Sequence, residues 1–147
     1  MKKLLMIIIS ISLLLIGCTN EENILKNDRE KLIVYTSFYP LYFLADEIGR
    51  DNIDLNIIIP NGVEAHDYEP SMKQLKDIEK ADLFIYIGEG FESWADKLLG
   101  TLIDEDKAIK ASGEVDLIEN QGVVDPHIWL DPQNMEIIGN KIKDRLA

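Results

Sequence analysis

The alternation of apolar runs with helix-like segments is the feature that most constrains the fold of this chain. The runs LIVYTS (32–37), LNIIIP (55–60) and DLFIYIG (82–88) lack the polar–apolar alternation of a half-exposed strand, and a weaker run, KAIKAS, follows at 107–112. Strands that are apolar on both faces are typical of a parallel sheet that is covered on both sides. The sequence therefore predicts an α/β fold, with a parallel sheet of about four strands flanked by helices.

Helices are predicted between these runs and at the end of the chain. Segment 40–50 has apolar residues at helical spacing, and segment 71–81 opens with Ser71, a favourable N-cap. Segment 91–102 (FESWADKLLGTL) is predicted to form a third helix, and segment 132–147 a last one. One face of that last helix is predicted to be apolar, and it consists of Met135, Ile138, Ile142 and Leu146.

The first 31 residues are predicted to direct export and anchoring rather than to fold. Two lysines precede an apolar run that is too short for an ordinary membrane span, which predicts a signal peptide over 1–17. The run ends in LIGC, which resembles the lipobox of bacterial lipoproteins and predicts that Cys18 carries the lipid anchor. The alternative is an unmodified cysteine in a membrane-spanning or buried helix. Segment 18–31 is polar without periodicity, which predicts a tether.

Charge and cysteine content exclude some classes of partner and of stabilisation. The formal net charge is -12, and removing 1–17 with its two lysines makes it -14. Such a surface repels phosphate backbones, so we expect no nucleic-acid partner, whereas it attracts cations. Cys18 is the single cysteine, so no disulfide can form within the chain.

The chain has only two histidines, and both follow predicted strands. His66 comes after the second run and His127 after the fourth, where the loops of a parallel sheet converge on a ligand crevice. Neutral imidazole is a common ligand of zinc and related divalent ions, and nearby carboxylates can orient the ring. Each histidine could instead cap a helix or remain solvated in a loop. The acidic neighbours are Glu64, Asp67 and Glu69 for the first, and Asp125 and Asp131 for the second.

Four motifs in this order resemble one protein family. YPLYFLADEIG, GVEAHDYEPS, ADLFIYIGEGFESWADKL and DPHIWLDP are similar to segments of the substrate-binding lipoproteins of zinc and manganese ABC importers, the ZnuA and AdcA type. The resemblance implies that His66 and His127 are metal ligands. It also implies a membrane permease as partner and a lipid-anchored location on the extracytoplasmic face of the cell membrane.

The same resemblance implies a division of the chain. Family members have two lobes joined by a long helix, with the metal between the lobes. Here 32–131 is expected to be the N-terminal lobe, and 132–147 the start of a truncated interlobe helix. In the DPHIWLDP loop, Ile128 and Leu130 are expected to anchor the backbone to the core, so that His127 faces the cleft.

Zinc is the favoured metal and manganese the alternative, because the residues of both histidine motifs look more like those of the zinc-binding members of the family. Nothing resembles an activated nucleophile or a phosphate-binding glycine loop, so we expect a binding protein and not an enzyme. Two alternatives remain open. One is a metal-dependent hydrolase that uses His66 and His127 with Glu64 or Asp131 as general base. The other is a nonfunctional remnant or surface interaction lipoprotein.

Overall fold

A four-stranded parallel sheet forms the centre of the protein. The computed structural model describes residues 31–147, so the predicted signal peptide (1–17), Cys18 and all but the last residue of the tether lie outside the described residues. The strand order is β2-β1-β3-β4, and all neighbours are parallel. The strands are β1 (Leu32–Thr36), β2 (Ile53–Ile57), β3 (Leu83–Tyr86) and β4 (Ala108–Lys110).

Helices cover both faces of this sheet, which confirms the predicted fold class. A short antiparallel hairpin lies between β4 and the last helix. The helices are α1 (Tyr39–Gly49), α2 (Met72–Glu79), α3 (Ala95–Leu98) and α4 (Pro132–Leu146), and the hairpin strands are β5 (Glu119–Asn120) and β6 (Val123–Val124).

The central strand β3 divides the core into two apolar clusters. All four of its residues are buried. Successive side chains of a strand point to opposite faces, and helices cover both faces of this sheet. Leu83 and Ile85 pack with α1 and α4, whereas Phe84 and Tyr86 pack with α2 and α3. This explains why the run in the sequence is apolar without alternation.

The strand order of the sheet contains one reversal. From β1 the chain crosses to β2 on one side, and later strands lie on the other side, so the order reverses between β1 and β3. Ligands of open α/β sheets bind at such a reversal, beyond the carboxyl ends of the strands. The ladder continues into this edge, because the Ser37 N–H donates to the Ile85 carbonyl at 2.9 Å.

Two well-capped helices begin just after the segments that contain the histidines. Ser71 caps α2 in a reciprocal capping box with Gln74, as the sequence predicts. At α4, the Asp131 side chain accepts a hydrogen bond from the Gln133 N–H at 2.8 Å, and Pro132 occupies the first turn. Both caps fix where the preceding loop ends.

The predicted apolar face of α4 packs against the core. Ile138 and Ile142 are fully buried, and Met135 and Leu146 pack beside them with α1. Within residues 31–147, no helix has both the length and the apolar character needed to cross a membrane.

The prediction for segment 91–102 is wrong in extent, because only Ala95–Leu98 is α-helical. The Glu92 side chain folds back to accept hydrogen bonds from backbone N–H groups at the end of β3, which diverts the chain before a helix can start. At the other end, Gly100 has φ +69° and stops the helix.

Two smaller features also differ from the sequence prediction. β2 starts at Ile53, two residues before the run LNIIIP, because the register with β1 extends to Leu32. The β5–β6 hairpin was not predicted. Its turn uses Gln121 and Gly122 with φ values of 53° and 81°, which matches the tight turns that hairpins favour.

Candidate metal centre

Aromatic and imidazole rings from four different segments meet at the carboxyl edge of the sheet. Phe38 follows β1, His66 follows β2 and Phe91 follows β3, while His127 and Trp129 precede α4. The Phe91 ring centre lies 4.8 Å from Phe38, 4.8 Å from His66 and 5.1 Å from Trp129. Phe91 therefore lies at the centre of an apolar cluster with Phe38 and Trp129, and the imidazoles pack against this cluster.

The two histidines, 61 positions apart in the sequence, are brought side by side. Their ring centres are 5.5 Å apart with an angle of 60° between the ring planes. Two imidazoles that bind one zinc ion at about 2 Å have ring centres roughly 5 Å apart. Both side chains are exposed. The pair is therefore close to the spacing needed for one ion, and it is accessible from solution.

Asp125 orients the His127 ring. One oxygen of its carboxylate, Oδ1, lies 2.6 Å from His127 Nδ1 and also accepts the His127 backbone N–H at 3.0 Å. These two hydrogen bonds from His127 hold the pKa of Asp125 below its ordinary value, and the bond from the backbone N–H has the larger effect. An ionised carboxylate can only accept, so Nδ1 is the nitrogen that donates to it, and in a neutral ring Nε2 is then the nitrogen whose lone pair can bind a metal.

His66 is positioned by a different set of contacts. Its backbone N–H donates to Glu64 Oε1 at 3.3 Å, but no described carboxylate reaches its ring. The loop is tied to α2 through Tyr68, whose hydroxyl lies 2.8 Å from Gln74 Nε2. The ring itself rests edge-on against Phe91. Packing, not a hydrogen bond, therefore sets the direction of this imidazole.

The structure separates the roles of the acidic neighbours. Asp125 has the orienting role that the sequence suggested, whereas Asp131 caps α4. For Asp67 and Glu69 no contact with a histidine ring is found among the described residues.

The prediction that Leu130 anchors the DPHIWLDP loop is wrong, because its side chain is 74% exposed. Ile128, by contrast, is buried as predicted. Residues 128–130 form a 3₁₀ turn with three residues per turn. Residues two apart in such a turn point in different directions, so Ile128 faces the core while Leu130 points away from it.

Within residues 31–147, no cluster of three or more histidine, cysteine, aspartate or glutamate side chains is arranged to hold one ion. The described residues therefore offer two imidazole ligands, His66 and His127. Zinc sites in proteins usually have three or four protein ligands. Two imidazoles alone hold an ion more weakly than such a complete set.

Sequence reasoning missed Phe91 and Phe38 as parts of this site. Phe91 was assigned to a helix, although it also follows a parallel strand. Both phenylalanines follow parallel strands, which is the same kind of position that points to the two histidines. Their apolar chemistry gave no signal of a ligand.

Residues 34–147 match the family described as ZnuA, zinc-uptake complex component A, periplasmic. The chain belongs to this family. The match covers β1 to the end of α4 apart from the first two residues of β1, and it confirms the resemblance that the four motifs indicated.

Individual relatives agree with this assignment. The zinc-binding lipoprotein AdcA of Streptococcus pneumoniae is 34% identical over 164 residues, which cover 100% of this chain and 32% of AdcA. The manganese-binding lipoprotein MntA of Halalkalibacterium halodurans is 32% identical, over 96% of this chain and 47% of MntA. The crystal structure of the Zn(II)-bound ZnuA-like domain of Streptococcus pneumoniae AdcA has a TM-score of 0.71 and 39% identity, over 78% of this chain and 43% of that one. The chain thus spans less than half the length of these relatives.

Proposed function

We propose that this chain captures a divalent metal ion between His66 and His127. The observation that supports the proposal most directly is the pair itself, with ring centres 5.5 Å apart and with the Nδ1 atom of one ring hydrogen-bonded to Asp125. The acidic surface adds a general attraction for cations. The ion is the cargo in this proposal and not a structural cofactor.

The proposed biological role is that of a substrate-binding lipoprotein of an ABC importer. In this proposal 1–17 is a signal peptide, Cys18 is lipidated, and 18–31 tethers the lobe to the extracytoplasmic face of the cell membrane. Residues 32–131 form the metal-receiving lobe, and 132–147 belong to the helix that leads to a second lobe. The partner is a membrane permease that accepts the ion.

Zinc is the proposed ion, with manganese as the alternative. Two neutral imidazoles are ligands that suit zinc, whereas manganese favours oxygen ligands. AdcA is named for zinc and MntA for manganese, so membership of the family alone leaves both metals open. The chemistry of the pair supports zinc.

Capture, not catalysis, is the proposed activity. A hydrolase would need a general base free to act beside the ion. The Asp131 carboxylate is engaged at the N-terminus of α4, and Glu64 accepts from the His66 backbone. Both bases considered from the sequence therefore have structural partners.

Calorimetric titration with zinc tests the proposal. The full chain is purified in a mild detergent and compared with the His66→Ala, His127→Ala double variant. We expect saturable binding of one equivalent in the parent and none in the variant at the same concentration. Equal heats from the two proteins would contradict the proposal and would favour a remnant whose motifs no longer bind metal.

A further inference from the structure

A buried carboxylate follows Phe91 in the chain, and the proposed capture of metal gives it no role. Glu92 is only 1% exposed. Its Oε1 accepts the Ile87 N–H at 3.1 Å, and its Oε2 accepts the Gly88 N–H at 3.1 Å. Burial raises the pKa of Glu92, although the nearby Ser37 hydroxyl and these N–H groups act in the opposite direction. A carboxylate that is unfavourable to bury needs a specific explanation.

The hydrogen bonds of Glu92 hold the start of a strained turn. Three consecutive residues, Gly88, Glu89 and Gly90, have φ values of 87°, 51° and 79°. Glycine adopts such conformations freely, whereas at Glu89 the left-handed conformation is strained and persists only where surrounding contacts enforce it. A Cβ atom at Gly88 would meet the Lys110 side chain, so a larger residue there would displace that side chain.

A second set of contacts holds the same turn from the side of β4. Glu89 Oε1 lies 2.7 Å from Lys110 Nζ and accepts the Ser112 hydroxyl at 3.0 Å. The buried Glu92 carboxylate binds the backbone N–H groups at the start of the turn. Lys110 and Ser112 bind the Glu89 side chain from the side of β4. The turn is therefore fixed on both sides.

This turn determines where the Phe91 ring lies. Phe91 is 3% exposed, and its N–H donates to the Gly88 carbonyl at 3.0 Å, so the ring moves with the turn. Its edge-on contact with His66 is the main ring contact that places this imidazole, which no described carboxylate orients. A shift of the turn would therefore move His66 relative to His127.

We propose that Glu92 is a positioning residue of the metal site. By fixing residues 88–90 through the Ile87 and Gly88 N–H groups, it holds the Phe91 ring against His66 and thereby sets the separation of the two imidazoles. This inference rests on the proposed role of His66 and His127 as metal ligands. Both oxygens of Glu92 face donors, so an amide in its place would direct an NH₂ group at a backbone N–H.

The experiment compares the full chain in detergent with its Glu92→Gln variant by proton NMR of the imidazole Cε1–H groups, without metal. The ring current of Phe91 acts most strongly on His66, at 4.8 Å between ring centres, and less on His127, at 6.3 Å, so we expect the His66 resonance to move more in the variant than that of His127. His66→Ala assigns the two signals. We also expect zinc affinity to fall about tenfold, as for other groups that orient ligands. The matched control is Glu79→Gln, which removes the same charge from an exposed site at the end of α2.

The outcomes separate this inference from the proposed function. If Glu92→Gln is folded and both resonances and the zinc affinity equal those of the control, the inference is overturned while metal capture stands. If the parent binds no zinc, the proposed function fails, and the NMR comparison still decides whether Glu92 positions His66. If Glu92→Gln does not fold, Glu89→Gln loosens the same turn from outside, and an unmoved His66 resonance there overturns the inference.

Discussion

The two loops that present the histidines orient their rings by different physical means. His127 donates hydrogen bonds to the exposed carboxylate of Asp125, whereas His66 is held by contact with buried Phe91. Removing a hydrogen-bonding group at the surface changes the orientation of the ring but changes little of the core packing. Removing a core ring changes the fold and the imidazole together. The comparison teaches that stability and metal affinity should be separable at one loop and coupled at the other.

The largest effect is expected from Phe91→Ala, which attacks the packed loop. Its ring is buried among Phe38, Trp129 and His66, so we expect a loss of about 3 kcal/mol in the free energy of unfolding, and weaker zinc binding with it. Urea denaturation measures the first and calorimetry the second. Phe43→Ala, at a side chain that is 49% exposed, is the control. A fully stable Phe91→Ala protein would refute the coupling.

Asp125→Ala should reduce zinc affinity without a matching loss of stability. The variant removes both hydrogen bonds that fix His127, and we expect about a tenfold weaker zinc affinity. Competition with a chromogenic chelator measures the affinity, and thermal unfolding in the absence of metal measures the stability. Asp116→Ala removes one exposed charge elsewhere and serves as the control. Unchanged affinity in Asp125→Ala would mean that the ring needs no orienting group.

The helix caps that end the two loops should behave alike, in contrast to the orienting groups. Ser71→Ala and Asp131→Ala each remove a side-chain acceptor from a helix N-terminus, so we expect each to lower the free energy of unfolding by about 1 kcal/mol. Urea denaturation of the metal-free proteins checks this. A much larger loss in either variant would show that its loop depends on the cap for more than helix initiation.

Glu64→Ala should have the smallest effect, because this carboxylate contacts the His66 backbone at 3.3 Å and is not found at the ring. We expect the zinc affinity to fall by roughly twofold or less. The same chelator competition measures it, beside Asp125→Ala. An effect as large as that of Asp125→Ala would mean that Glu64 orients His66 after all, and the contrast between the loops would disappear.

The sheet was predictable because its signal is local and repeated. β1 and β3 are apolar on both faces and are therefore visible in the sequence, and Ser71 marks the start of α2. The helix predicted over 91–102 failed because a tertiary contact overrides its apolar spacing. The buried Glu92 side chain accepts hydrogen bonds from the Ile87 and Gly88 N–H groups just after β3, and no periodicity indicates that.

The sequence by itself determined the fold class, the two candidate ligands and their positions at strand ends. These follow from periodicity and from the scarcity of histidine. Only the tertiary structure decided that the rings of His66 and His127 stand 5.5 Å apart, and that Phe91 supports one while Asp125 holds the other. The physical reason is that a distance between loops 61 residues apart depends on strand order and core packing, which local patterns do not encode.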